Sequence, residues 1–222
     1  RMGVPVVLTG TPSVVVFAGE TLDAARLASL RTLGGSPVLA ITDWRAKTLK
    51  AAAYDGDVAR IHVPSDASLQ WVLGVADPAD DLKTPMKGPF NIQRDGNADA
   101  HRFAIKLIKG ARLLPAAVVM ELTDGPEFAQ RNSLTQINFA IAAKQAPHIL
   151  NPVISARLPM DASESGRLHI FRPDDGGEEH YAIEIGQPDR TQPVLSRLHS
   201  ACFTGDVLGS LKCDCGPQLR GA

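Results

Sequence analysis

The pattern of apolar and polar positions changes character about two-thirds of the way along the 222 residues. In the first part, short β-rich runs alternate with helical ones. Val4 to Leu8 and Ser13 to Phe17 are apolar runs on either side of a Gly-Thr-Pro turn and predict two strands. Leu22, Ala25, Leu30 and Leu33 recur at helical spacing and stop at Gly34-Gly35, ahead of the buried-type run Val38 to Ile41. That order predicts β-α-β. Trp44 to Ala53 predicts a second helix, Val58 to Val63 a strand, and Asp66 to Val75 a helix capped by Ser65 or Asp66. Pro, Gly, Asp and Lys dominate from Asp77 to Gly96, a long loop of the kind that usually has a function or is disordered. Ala98 to Ala111 reads as a helix through Phe103, Leu107 and Ile108, and Ala116 to Leu122 as a strand. Thr123-Asp124-Gly125-Pro126 reads as a turn, followed by a less regular segment to about Pro147.

After Asn151 the runs become shorter strands: Val153 to Leu158, Leu168 to Arg172, Tyr181 to Ile185 and Val194 to His199. The expected fold class is α/β in the sense of α+β mixed sheets. A layered α/β domain over residues 1–150 is followed by a mostly β module over 151–222 that carries its chemistry on a turn between strand and helix.

Composition narrows the function classes. Apolar residues make up 44% and charged residues 21%, with 19 Gly and 16 Pro, an ordinary globular balance. Apolar runs such as Pro115 to Met120 are far shorter than the roughly 20 residues that cross a bilayer, so the reading is soluble and cytoplasmic with no membrane partner. A net charge of −1, with two Trp and two Tyr, disfavours nucleic acid as a partner.

The three cysteines all lie between positions 202 and 215. An odd, clustered set points to a reduced compartment and a metal rather than to disulfides. In Cys213-Asp214-Cys215 the side chains converge only if the backbone turns there, and Gly216-Pro217 supplies a turn, while Gly205 and Gly209 loosen the connection back to Cys202. Three protein ligands leave zinc a fourth position for a water whose pKa falls to about 7, and hydrolysis is the natural inference. Two other readings stand beside it: cysteines packed as small apolar groups, and a closed structural site completed by His199. Arg197, Lys212 and Arg220, with Ser200, Thr204, Ser210 and Gln218, suit an anionic, heterocyclic substrate, since Arg binds phosphate oxygens in pairs and Gln can read a base edge. The alternative for each is a solvated rim.

The stretch Pro193-Val-Leu-Ser-Arg-Leu-His-Ser-Ala-Cys-Phe-Thr-Gly-Asp-Val-Leu-Gly-Ser-Leu-Lys-Cys-Asp-Cys-Gly-Pro-Gln-Leu219 resembles the zinc-site signature of GTP cyclohydrolase II. That family opens the imidazole ring of GTP with release of formate and pyrophosphate in riboflavin synthesis. The resemblance implies that Cys202, Cys213 and Cys215 bind one Zn2+ and that Arg197, Leu198, His199, Ser200, Ala201 and Gln218 contact GTP, with Mg2+ allowed on the phosphates. The family commonly has Glu where Ala201 stands and Arg where Lys212 stands. Gly176-Gly177-Glu178-Glu179-His180 and the strand after it resemble the approach to that domain. The family's later Gln-Glu-Gly-Arg loop and its catalytic Asp and Arg have no counterpart before Ala222. The resemblance therefore implies that no catalytic residue lies within this stretch and that it does not turn over GTP by itself; Arg1-Met2 is an unusual beginning, consistent with trimming.

Upstream, Gly96-Asn-Ala-Asp-Ala100, Leu113 to Leu122 and the run Val6 to Thr42 resemble 3,4-dihydroxy-2-butanone 4-phosphate synthase. That synthase's acidic magnesium loop is replaced by Thr9-Gly-Thr-Pro-Ser13 and its signature His by Asn97; Glu121 stands where a catalytic Glu would. The resemblance implies a degenerate domain kept for packing, dimerisation or regulation, and a homodimer. Two competing classes remain: a cyclohydrolase acting on another nucleotide or base, and a zinc-stabilised binding or regulatory module.

Overall fold

The computed structural model describes residues 2–79, 81–144, 149–161, 163–174 and 177–221. Arg1, Gly176 and Ala222 lie outside them, as do residues 145–148 beside the expected boundary. The chain forms two compact units, Arg1–Gln145 and Ala146–Ala222.

In the first unit, strands β1 (Val6–Thr9), β2 (Ser13–Ala18), β3 (Val38–Thr42), β4 (Val58–His62), β5 (Ala116–Leu122) and β6 (Thr135–Asn138) form one sheet in the order β4-β3-β5-β2-β1-β6. The β1–β6 pair is parallel and the other pairs are antiparallel. Because β5 lies between β2 and β3 and is antiparallel to both, β2 and β3 run parallel without touching. The expected β-α-β is thus a split one.

Side chains alternate across the sheet, so each strand feeds two cores. Val15 and Phe17, Leu39 and Ile41, and Val118 and Met120 join Leu27 and Leu30 of α1 (Ala24–Thr32), Ala46 of α2 (Asp43–Leu49) and Val72 and Val75 of α3 (Leu69–Ala76) on one face. Val14 and Val16, Ala40, and Ala117 and Val119 meet Ala100, Ala104, Ile105 and Ile108 of α4 (Asp99–Gly110) on the other. Burial of each large aliphatic side chain contributes about 1.5–3 kcal/mol, which makes this alternation the main determinant of register.

Several boundaries differ from the sequence reading, each for a local reason. The third helix is capped by Ser68, whose hydroxyl accepts from the Trp71 N–H, and not by Ser65 or Asp66. The second helix stops at Leu49 because Lys50 adopts a left-handed conformation (φ 56°). Asp124-Gly125-Pro126 starts a helix, α5 (Gly125–Arg131): Asp124 accepts from the Glu127 N–H and Pro stands in the first turn, where no N–H is needed. The segment beyond it holds β6 and a single helical turn, α6 (Phe139–Ala142). The long loop Asp77–Gly96 contains no strand or helix among its described residues, but Asp81 binds both Arg45 and Lys87, and Gln93 N–H donates to Arg60 O along the free edge of β4.

His101 of α4 is 5% exposed, and Nδ1 has no hydrogen-bond partner among the described residues. Burial, then the Arg60 charge, push its pKa down from 6.5 to about 4. The folded unit therefore holds it neutral while the unfolded chain takes up a proton below about pH 6.5. This contribution to stability is complete above pH 6.5 and is lost as the pH falls toward 4, by up to about 3 kcal/mol. Urea unfolding at pH 7.5 and pH 4.5 is expected to show that loss, and a His101→Leu variant to lack most of it.

The second unit opens with an antiparallel sheet of β7 (Leu150–Arg157), β8 (Gly166–Pro173) and β9 (His180–Ile185). Its register sets Ile154, Ile170 and Tyr181 abreast, and Ala156, Leu168 and Ile183 beside them, giving one apolar face. Ser155, His169, Ala182 and Arg157, Arg167, Glu184 alternate onto the other. The expected strand Val194 to His199 does not form: these residues are exposed and outside any strand. Leu195 and Leu198 project fully into solvent (97% and 104%), so the apolar side chains of this run have no surface to pack on. The chain then makes a wide helical turn at Phe203–Val207 and ends in α7 (Cys215–Arg220). No helix among the described residues is long and apolar enough to cross a membrane.

Candidate metal centre

Cys202 precedes the turn Phe203–Val207, Cys213 follows the loop 208–212, and Cys215 opens α7. The loop is closed by backbone bonds, Ser210 N–H to Thr204 O at 2.9 Å and Cys213 N–H to Ser210 O at 3.2 Å. These bring the three Sγ atoms within 4.8 Å of one another, with Cys202 and Cys213 3.5 Å apart. A tetrahedral zinc with Zn–S near 2.3 Å needs sulfurs about 3.8 Å apart, so the triangle is close to the size the ion requires.

Two glycines make the closure sterically feasible. A Cβ on Gly205 would lie 2.8 Å from Cys213 Sγ and 3.0 Å from Cys215 Cβ, and one on Gly216 would collide with the Gly205 carbonyl oxygen. The turn and α7 approach backbone to backbone, and that approach places Cys215 beside Cys202.

The electrostatics match a cation site. The Thr204 hydroxyl, 3.3 Å from Cys202 Sγ, with help from the Gly205 N–H and the other two sulfurs, brings the Cys202 thiol down to about 7. Cys213 and then Cys202 push Cys215 up to about 12. Adjacent sulfurs resist simultaneous ionisation, and a divalent cation removes that resistance. The cysteines are half-buried and unbridged, which argues against their packing as apolar groups.

His199 is not part of the sulfur group. Its Nε2 faces Asp206 Oδ2 at 3.3 Å, so the four-ligand closed arrangement is not the one assembled. Arg197, Leu198, Ser200 and Ala201 are exposed, in irregular chain. Gln218 donates from Nε2 to Asp214 Oδ2 at 2.6 Å on the first turn of α7, and Lys212 is exposed. Asp206 was missed by sequence reasoning. It takes the Cys202 backbone N–H on Oδ2 at 2.9 Å, and its carboxyl is held below the usual range by that bond and then by His199. The available signal was an Asp four residues after a ligand cysteine, in Thr-Gly-Asp.

In the first unit, the turn Gly10-Thr11-Pro12 and Asn97, Asp99, Asn138 and Phe139 line a cleft of about 330 Å³. Asp99 is the one acid lining it among the described residues, and it is engaged by Asn97 and Arg102. The Phe139 ring packs against Gly10, where a Cβ would overlap it. Glu121 is exposed.

Residues 151–222 match the sequence model of the GTP cyclohydrolase II family. A GTP cyclohydrolase-2 of Azospirillum brasilense is 38% identical over 196 residues, 85% of this chain and 51% of that protein. The riboflavin biosynthesis protein RibBA of Aquifex aeolicus is 35% identical over 144 residues, 59% of this chain and 34% of its own. A GTP cyclohydrolase-2 of Neisseria meningitidis is 49% identical over 74 residues, 33% of this chain and 36% of its own. The chain thus spans from about a third to about half of these relatives' lengths. The Azospirillum and Aquifex alignments are too long to fit within residues 151–222 and extend into the first unit.

Proposed function

We propose that residues 151–222 form the metal-binding portion of a GTP cyclohydrolase II, which opens the imidazole ring of GTP hydrolytically and releases formate and pyrophosphate on the route to riboflavin. One observation carries this reading: Cys202, Cys213 and Cys215 hold their sulfurs within 4.8 Å of one another inside the stretch that matches the family model. Zinc, when bound by these thiolates, supplies a water of pKa near 7 at its fourth position.

The chain's own residues then have distinct tasks. Arg197 offers a planar guanidinium to phosphate oxygens, with Mg2+ accompanying them. In this reading His199, Ser200 and the backbone of Leu198 and Ala201 supply further contacts to GTP. Gln218, its amide nitrogen tied to Asp214, keeps Oε1 as an acceptor for a base edge. Ala201 contributes no polar side chain, so contact there is through the main chain alone. Residues 1–150 are read as a degenerate synthase-like domain that serves packing, dimerisation or regulation; the cleft with Asp99 as its one acid and with Phe139 against Gly10 supports that. The same reading has a cytoplasmic homodimer acting on GTP without membrane partners, and the net charge of −1 favours the absence of a nucleic-acid partner.

The test is a chimaera in which residues 151–222 replace the matching stretch of the Azospirillum protein. It is expected to release formate from GTP in preference to ATP or uracil. Cys213→Ser within it should cut that rate by more than about 100-fold, beyond the 10–100-fold typical of losing an outer-shell partner. Undiminished formate release by the variant, or preference for another substrate, would overturn the reading.

A further inference from the structure

Asp206 links the metal loop to the segment before it. Its Oδ2 accepts the Cys202 N–H at 2.9 Å and faces His199 Nε2 at 3.3 Å, while the Asp206 N–H donates to Cys202 O at 2.7 Å. The carboxylate is 18% exposed and His199 26%. Its other oxygen, Oδ1, is buried without a hydrogen-bond partner among the described residues. Residues Arg197–Ala201 belong to no helix or strand, and the His199–Asp206 contact joins this segment to the cysteine loop.

A carboxylate can only accept, so in the neutral ring the nitrogen facing it carries the hydrogen. That leaves Nδ1 with a free lone pair. We propose that Asp206 is a positioning residue that fixes His199 as the Nε2–H tautomer and presents its Nδ1 as a hydrogen-bond acceptor to an N–H or O–H donor of the substrate. This role rests on the reading of the stretch as a nucleotide-handling metal site. It extends it by assigning work to a carboxylate that neither ligates the metal nor touches substrate: the partner that sets ring orientation and tautomer, as outer-shell groups do around metal centres.

The experiment is long-range 15N–1H NMR of the imidazoles in the zinc-loaded protein at pH 8, with His199 assigned by its loss in His199→Gln, and zinc content measured on each sample. The wild type is expected to carry the hydrogen on Nε2. In Asp206→Asn the amide oxygen can stand at the Oδ2 position, where it still takes both the Cys202 N–H and the His199 Nε2–H, so the hydrogen is expected to stay on Nε2; in Asp206→Ala the acceptor is gone and the ring is expected to relax to a mixture of the two tautomers, with about one zinc per chain retained. A wild-type hydrogen on Nδ1 overturns the proposal without any variant, as does a single wild-type tautomer kept in Asp206→Ala. Zinc lost with the tautomer unchanged would show a structural role and also overturns it. Absence of zinc from the wild type would sink the metal reading instead, while the tautomer comparison would still decide this one.

Discussion

Gly216→Ala is expected to abolish tight zinc binding although it changes no ligand. The added methyl group would meet the Gly205 carbonyl oxygen and carbon, atoms of the backbone that cannot rotate away. Relief requires α7 to move off the turn Phe203–Val207, and Cys215, the first residue of α7, moves with it. A thiolate displaced by about an ångström leaves the tolerance of about ±0.2 Å within which zinc–sulfur bonds form. Competition with a chromophoric chelator should show affinity weakened by at least about 100-fold, with the circular dichroism of the first unit unchanged. Gly205→Ala should be milder, because one atom it meets is the Cys213 sulfur, at the end of a side chain that can turn. Equal, wild-type affinity in both variants would mean that the close backbone approach does not hold the site.

The largest expected effect on stability lies in the first unit. Arg60 is 1% exposed on β4, and its guanidinium is met by both Asp55 oxygens, at 2.7 and 3.1 Å, and by the Asp95 and Gly96 carbonyls. Asp55→Ala removes the negative partner and leaves a buried charge with two carbonyl acceptors. Breaking a buried pair from one side costs about 3–5 kcal/mol, a large part of the roughly 5–15 kcal/mol that holds a typical domain folded. The double variant Asp55→Ala, Arg60→Met removes the charge as well and should recover most of the loss, since replacing both partners by apolar groups is often close to neutral. Urea midpoints of the single and double variants check this; equal losses would mean that the ion pair is not the cause.

What was legible in the sequence follows from where the physics is local. α1 and β5 could be read because a helical run ending at Gly34-Gly35 and a continuous apolar run from Ala116 to Met120 each mark an element locally. The start of α5 was misread because Asp-Gly-Pro serves a turn and a helix cap equally well, and the choice depends on Phe128 and Ala129 finding the core. β6, Thr-Gln-Ile-Asn, has one apolar residue, and as an edge strand it needs no more; only its pairing with β1 reveals it. Val194 to His199 read as a short strand but had no surface to pack on. At the site, the three cysteines announced themselves by spacing. The Asp206–His199 contact did not, because it depends on how widely the turn Phe203–Val207 opens, and no spacing rule specifies that.

The central claim is that Cys202, Cys213 and Cys215 form a three-thiolate zinc site. The most direct test is zinc content per chain, by metal analysis of reduced protein and of Cys213→Ser. The account predicts about one zinc per wild-type chain and none in the variant. Protein free of zinc under those conditions, or a variant that keeps its full complement, would contradict it.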